Sequence, residues 1–347
     1  MLSFIKKYKH LFQIGFSIVL LAVLLSYLDF EQAREIASRV APQFVLAVVA
    51  IYLIDRMLMA WKWGFLLKIA KMRIGLFSAF KMYYLSCFWG FLFPFGVGPD
   101  IIRFFNIKRE GYPSENAMAT IITERALGLV ATMLMVMVSL ILLIVMVAGD
   151  QLQSRFGLIF GGLGLFLLLT FIFIFHDPAR KAIFRATQIN RVFAKIRLEK
   201  YFQAFAIYRH HKGTLVKFIF WSFVEQLVPV FAAYFAAKAL GISLPLLSCL
   251  AFAPVSIFFE RLPISFMGLG VRESSYILLL QLMNVPYTEA FLLSIFMFMT
   301  DIVSLVPAAL WSFVDSIKSK KSMTETAHDI AAQSAKEQLS DENVPVA

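Results

Sequence analysis

Charged residues stand inside runs that are otherwise apolar, and several come as adjacent pairs of opposite sign. Glu124-Arg125 sits within 117–148, Glu260-Arg261 near the end of 247–264, and Arg272-Glu273 at the start of 271–283. Asp100 and Arg103 follow the stretch Phe93-Pro94-Phe95-Gly96-Val97-Gly98-Pro99. A charge inside a bilayer costs about 2.5–3.5 kcal/mol on insertion scales, so each of these needs a partner or a ligand. Arginine presents a planar fork of donors that matches phosphate oxygens and is always charged. Glycine lets a backbone come close to a headgroup. Together these types suit an anionic lipid headgroup, with Arg103, Arg125, Arg261 and Arg272 on the phosphate. Glu124, Glu260 and Glu273 would brace the arginines in the empty site and exchange with the incoming anion. The other reading of any single pair is a salt bridge that pins helices, with no ligand. Asp55-Arg56, Glu225 and Asp301 are further candidates, whereas Lys81 can snorkel to the interface.

The elements that must position these residues are membrane helices. Of the 347 residues, 60% are hydrophobic and 16% charged, against about 25% charged in soluble domains. The mean hydropathy is +0.77. About 20 apolar residues make one crossing. Apolar runs cover 11–28, 43–67, 77–95, 117–148, 156–175, 214–240, 247–264, 271–283 and 289–314. Glu124 lies about ten residues into its helix, or about 15 Å deep in a core of roughly 30 Å. Two runs are interrupted, one at Pro94, Gly96 and Gly98 before Asp100, the other at Pro263, Gly268 and Gly270. Such breaks free backbone groups that need a partner. The short helix after each break would start within the membrane, where free N–H groups favour phosphate or carboxylate.

Loop charges set the topology. Lys6, Lys7 and Lys9 place the N-terminus inside, as do Lys68, Lys71 and Arg73 for their connection. The loop 177–213 carries nine Lys/Arg against Asp177 and Glu199, and Lys318, Lys320 and Lys321 follow the last helix. The connection 29–42 is mixed in sign and can lie outside. These constraints predict an all-α integral membrane protein with about six spanning helices plus two re-entrant broken hairpins. The hairpin 77–112 would enter from the cytoplasmic side and 247–284 from the outer side, so that 77–148 and 247–314 form an inverted repeat. A plain bundle of about eight or nine spans is the alternative. Residues 1–315 form the membrane domain, and 316–347 read as a disordered polar cytoplasmic tail. Within 178–213, Phe184, Val192, Phe193, Ile196, Phe202 and Phe205 alternate with basic residues and suggest an amphipathic helix on the inner leaflet.

Other classes of function find little support. The net charge of +11 comes from basic residues confined to loops, which argues against nucleic acid as a partner. Cys87 and Cys249 stand alone in apolar segments, and the five histidines lie at membrane edges or in polar segments, so no metal site, cofactor or His-based nucleophile is indicated. The run 11–28 lacks a small-residue cleavage site and reads as a retained first helix.

Four blocks in fixed order carry a resemblance: Gly98-Pro99-Asp100-Ile101-Ile102-Arg103, Glu124-Arg125-Ala126-Leu127-Gly128, Glu260-Arg261-Leu262-Pro263-Ile264-Ser265 and Gly268-Leu269-Gly270-Val271-Arg272-Glu273. The chain resembles the lysylphosphatidylglycerol synthase transmembrane-region family, also called the flippase-like domain family. Pro99 departs from the more usual Gly-Gly-Asp or Gly-Asp form of the first block. The resemblance covers nearly all of 11–315 and implies a lipid-translocating membrane domain in a bacterial inner membrane, without the soluble domain that makes the aminoacylated lipid. Relatives of this form look like accessory proteins for envelope lipids, hopanoids or polyprenyl-linked sugars. Translocation of an anionic phospholipid or polyprenyl phosphate, with no enzymatic step, is therefore the leading expectation. The alternatives are a non-catalytic partner of an envelope-lipid or glycan synthase, and a membrane enzyme acting on a lipid-linked substrate.

Overall fold

Apolar runs of this length leave no choice but helix, because a bilayer offers no partner for an exposed backbone N–H or C=O. The computed structural model describes residues 2–91, 98–147, 207–208, 210–261 and 265–316, and among them there is no strand. The helices are α1 (Leu2–Ser26), α2 (Phe30–Ser38), α3 (Pro42–Ile69), α4 (Leu76–Phe91), α5 (Gly98–Arg109), α6 (Ser114–Val147), α7 (Lys212–Glu225), α8 (Val228–Ala239), α9 (Leu246–Glu260), α10 (Val271–Gln281) and α11 (Tyr287–Ser304). The chain divides into two compact units, Met1–Ser304 and Leu305–Ala347. In the second, 306–316 are helical. All contacts described below lie within the first unit.

Four stretches are long and apolar enough to cross a membrane: Pro42–Ile69, Ser114–Val147, Lys212–Ala239 and Tyr287–Ser316. A fifth is the pair Ile14–Ser26 and Phe30–Ser38, bent by 90°. The bend has a local cause: the Asp29 carboxylate accepts from the N–H groups of Glu31 and Gln32 and starts a new helix there. The expected span at 156–175, most of the segment 178–213 read as an amphipathic helix, and the tail from 317 lie outside the described residues, as do Pro94, Gly96 and Pro263. Large apolar side chains such as Ile18, Val19, Leu46, Ile54, Phe77 and Val145 are exposed, as a surface facing acyl chains requires.

The two interrupted regions are pairs of short helices. At 1.5 Å per residue α4 and α5 are about 24 and 18 Å long, and α9 and α10 about 22 and 16 Å, all short of a roughly 30 Å core. Within each pair the arms pack on each other. The first is very close: a methyl group on Gly90 would lie 2.2 Å from the Pro99 nitrogen. Gly90→Ala is therefore expected to cost about 1–3 kcal/mol, because backbone rather than a flexible side chain must move. A thermal unfolding midpoint equal to that of wild type in mild detergent would show that the arms need not touch.

The repeat is clearer in the backbone than in the residues. The series α3–α4–α5–α6 and α8–α9–α10–α11 show the same contacts, first helix on second, second on third, third on fourth and first on fourth. Their turns also match. Lys71 N–H bonds Lys68 C=O (3.1 Å) and Met72 N–H bonds Leu67 C=O (3.0 Å), as Gly241 does with Lys238 (3.2 Å) and Ile242 with Ala237 (2.9 Å). Lys71 and Gly241 have φ of 58° and 71°. The later turns repeat the pattern with Gly111 and Asn284 (φ 84° and 62°), then Pro113 and Pro286. Each proline carbonyl then accepts from the residue four ahead, Ala117 or Ala290. The halves thus begin at α3 and α8, earlier than the expected 77 and 247. They are inverted, because α3 and α7–α8 run antiparallel: Ala41 N–H bonds Ala239 C=O (2.9 Å), and Lys62 near the far end of α3 reaches Ser222 of α7.

Candidate functional site

Arg103 and Arg272 stand near the start of the second arm of each hairpin and are both buried. Arg103 Nη1 bonds Glu124 (2.5 Å) and Nη2 bonds Asp100 (2.6 Å). Its guanidinium lies over Tyr83 (4.4 Å) and Trp63 (5.2 Å), and Tyr83 donates to the second Glu124 oxygen at 3.0 Å. Arg272 is paired with Glu273, lies 3.8 Å from Glu260 and rests over Phe298 at 4.3 Å. A guanidinium between carboxylates and an aromatic face keeps charge, donors and flat surface all engaged, which is the arrangement that burial of arginine needs. Arg103 Nε is nevertheless left without a partner among the described residues, as is Arg56 Nε.

The bend before α10 is built from left-handed backbone. Met267, Gly268 and Gly270 have φ of 54°, 75° and 84°. Gly268 also packs on Glu260, where an added methyl group would meet the side chain at 2.5 Å. This turn is what brings Glu260 beside Arg272. It also revises one sequence expectation: the N–H at the head of α10 is not open to an anion. Gly270 N–H donates to Glu273 at 2.5 Å, so the protein's own carboxylate occupies the position a phosphate would take. Asp100, in the first turn of α5, plays the same part against Arg103 and Arg125.

Glu124-Arg125 and Glu260-Arg261 divide their labour. Glu124 turns inward to Arg103, while Arg125 is exposed and bonds Asp100 through Nε at 2.7 Å. Arg261, also exposed, donates to Thr132 at 2.6 Å. Arg125 and Arg261 come one from each half, on α6 and at the end of α9, two helices that pack together. Other charges of the apolar helices pair with one another. Arg56 bridges Asp301 (2.7 Å) and Asp55 (3.1 Å). Lys62 is paired with Glu225 and bonded to Ser222 at 3.0 Å. Pro229 explains why Glu225 sits at a break: it has no N–H for the Glu225 carbonyl, and the span divides there into α7 and α8.

The described residues named at the outset for the headgroup fall into two ion-pair networks, one of Asp100, Arg103, Glu124 and Arg125 and one of Glu260, Arg272 and Glu273, with Arg261 bonded to Thr132. Lys62, Tyr83, Thr132 and Gln226 were not foreseen. Gln226 donates to Thr132 at 2.8 Å, beside Arg261. Lys62 had a signal, a lysine between Trp61 and Trp63 within an apolar span. The others are neutral and carry none. Among the described residues no group of three or more His, Cys, Asp or Glu is placed to hold a metal.

An inverted pair of helical halves, each with a broken hairpin and a buried arginine, defines a polytopic membrane protein with a charged interior. Residues 11–310 match the family model described as lysylphosphatidylglycerol synthase TM region, and the chain belongs to that family. The family is of the lipid-modification or flippase type. A search of curated protein sequences gives no match.

Proposed function

We propose that the protein is a lipid translocase that carries an anionic headgroup through the neighbourhood of Arg125 and Arg261. The observation that supports this most directly is that Arg125 of α6 and Arg261 at the end of α9, one from each half, are both exposed, on helices that pack together. A phosphate accepts from the donor forks of such arginines. Arg103 and Arg272 are buried, each held by carboxylates that can exchange with the incoming anion. Exchange keeps every charge paired, whereas removing a partner outright leaves a buried charge uncompensated. The acyl tails stay in the bilayer, and rocking of one half against the other moves the site between faces. No covalent step is part of this reading. The substrate is a phospholipid or a polyprenyl phosphate of a bacterial inner membrane, with both termini cytoplasmic by the bias of basic loops.

The experiment follows headgroup-labelled phosphatidylglycerol in proteoliposomes, reading the fraction protected from an external quencher. Arg125 and Arg261 are exposed, so Arg125→Gln/Arg261→Gln tests the site without emptying a buried ion pair. Translocation is expected to fall roughly tenfold or more, the equivalent of about 1.4 kcal/mol at the barrier, with an unchanged unfolding midpoint. A rate equal to wild type sinks the mechanism and transfers weight to the accessory-partner reading.

A further inference from the structure

A cleft of about 530 Å³ opens where three connections meet: the turn after α3, the turn between α5 and α6, and the entry to α7. Lys71, Tyr112, Asn116, His210 and His211 line it. It lies past the C-terminal end of α5, whereas the arginine network lies near that helix's start, so the two sites are separate. Its size suits a small ligand or headgroup. Most of its lining is apolar, and its polar groups are basic or donors. Lys71 supplies an ammonium, Asn116 an amide, and the two histidines ring nitrogens. The Tyr112 oxygen already accepts from Arg73 N–H (2.9 Å), which leaves its own hydrogen to donate. His211 is the N-cap of α7 and makes no side-chain cap bond, so the positive end of that helix adds to the field. In sequence, Arg73 and Lys212 stand within two residues of lining residues, as do the acidic Glu110 and Glu115.

Lys71 is the informative residue. It stands at φ 58°, where a β-carbon is strained, and the matching turn of the other half has Gly241 at φ 71°. Both turns close with the same pair of backbone hydrogen bonds, so the backbone gains nothing from a lysine there. What the lysine adds is a cation in the cleft.

We propose that this cleft binds a phosphate ester anion, the headgroup of a lipid in the adjacent leaflet or a small soluble phosphate ester. The site goes beyond translocation and does not depend on it. Hydrogen exchange at 70–72, 112–117 and 210–214 tests it in nanodiscs of three kinds: phosphatidylcholine alone, phosphatidylcholine with phosphatidylglycerol, and phosphatidylcholine with glycerol 3-phosphate in solution. At a ligand level of twice its Kd, exchange should slow about threefold. Lys71→Gly should abolish the effect while leaving the unfolding midpoint equal or higher, and Lys71→Asn, which also tolerates this φ, should do the same. Protection by phosphatidylglycerol only assigns the site to a lipid headgroup; protection by glycerol 3-phosphate as well assigns it to soluble esters. No protection in either arm, or protection that survives both substitutions, overturns the proposal. Protection should persist in Arg125→Gln/Arg261→Gln, which separates this site from the translocation pathway.

Discussion

Lys62→Met is expected to lower the unfolding midpoint sharply, by the equivalent of about 3–5 kcal/mol. Lys62 and Glu225 are 5% and 7% exposed and neutralise each other across α3 and α7. Methionine fills much of the lysine's volume and keeps the contact with Phe218, over which the ammonium sits at 5.2 Å. The loss is therefore chiefly electrostatic: the Glu225 carboxylate stays buried with its counter-charge gone. Replacing both groups removes that problem, so Lys62→Met/Glu225→Leu should recover most of the stability. Thermal unfolding in mild detergent, read by the monodisperse fraction, compares the three proteins. A double variant no better than the single one would mean that the pair does not stabilise through its charges.

The second large effect belongs to Glu273→Ala. Glu273 is fully buried and does two things at once, pairing with Arg272 and accepting from Gly270 N–H at the head of α10. Alanine removes both, at up to about 3–5 kcal/mol for the arginine, left with only the Glu260 carboxylate at 3.8 Å, and about 1 kcal/mol for the cap. Glu273→Gln keeps an acceptor for the cap and loses the charge, so it should fall between alanine and wild type. Equal midpoints for Glu273→Ala and Glu273→Gln would show that the cap contributes nothing and that the hairpin rests on the ion pair.

The helical class, the broken hairpins and the charged positions are legible in the sequence because a bilayer makes each of them conspicuous. A Glu-Arg pair within an apolar run, or Gly268-Leu269-Gly270 after a proline, has few innocent explanations in hydrocarbon. What is not legible is pairing across distance. Nothing in sequence joins Arg56 to Asp301 or Lys62 to Glu225, because those contacts depend on which helix faces which. The extent of the repeat was hidden for another reason. Its signature lies in turns where lysine, glycine and asparagine adopt one backbone conformation, so residue identity changes while hydrogen bonding does not. The head of α10 was misjudged because a helix start looks open in sequence, whereas here the glutamate three residues on folds back over it.

Among the described residues, the paired interior charges nearly cancel. Arg56, Lys62, Arg103, Arg125, Arg261 and Arg272 are met by Asp55, Asp100, Glu124, Glu225, Glu260, Glu273 and Asp301, which leaves the set within one unit of neutral. In the proposed rocking of the halves, a transmembrane voltage would therefore do little net work on these groups. A lipid carried between them is different, because a singly charged headgroup moves its charge through the field at about 2.3 kcal/mol per 100 mV. In a cell with a negative interior that work favours outward movement of an anionic lipid, so the voltage alone would set a direction without a fuel molecule.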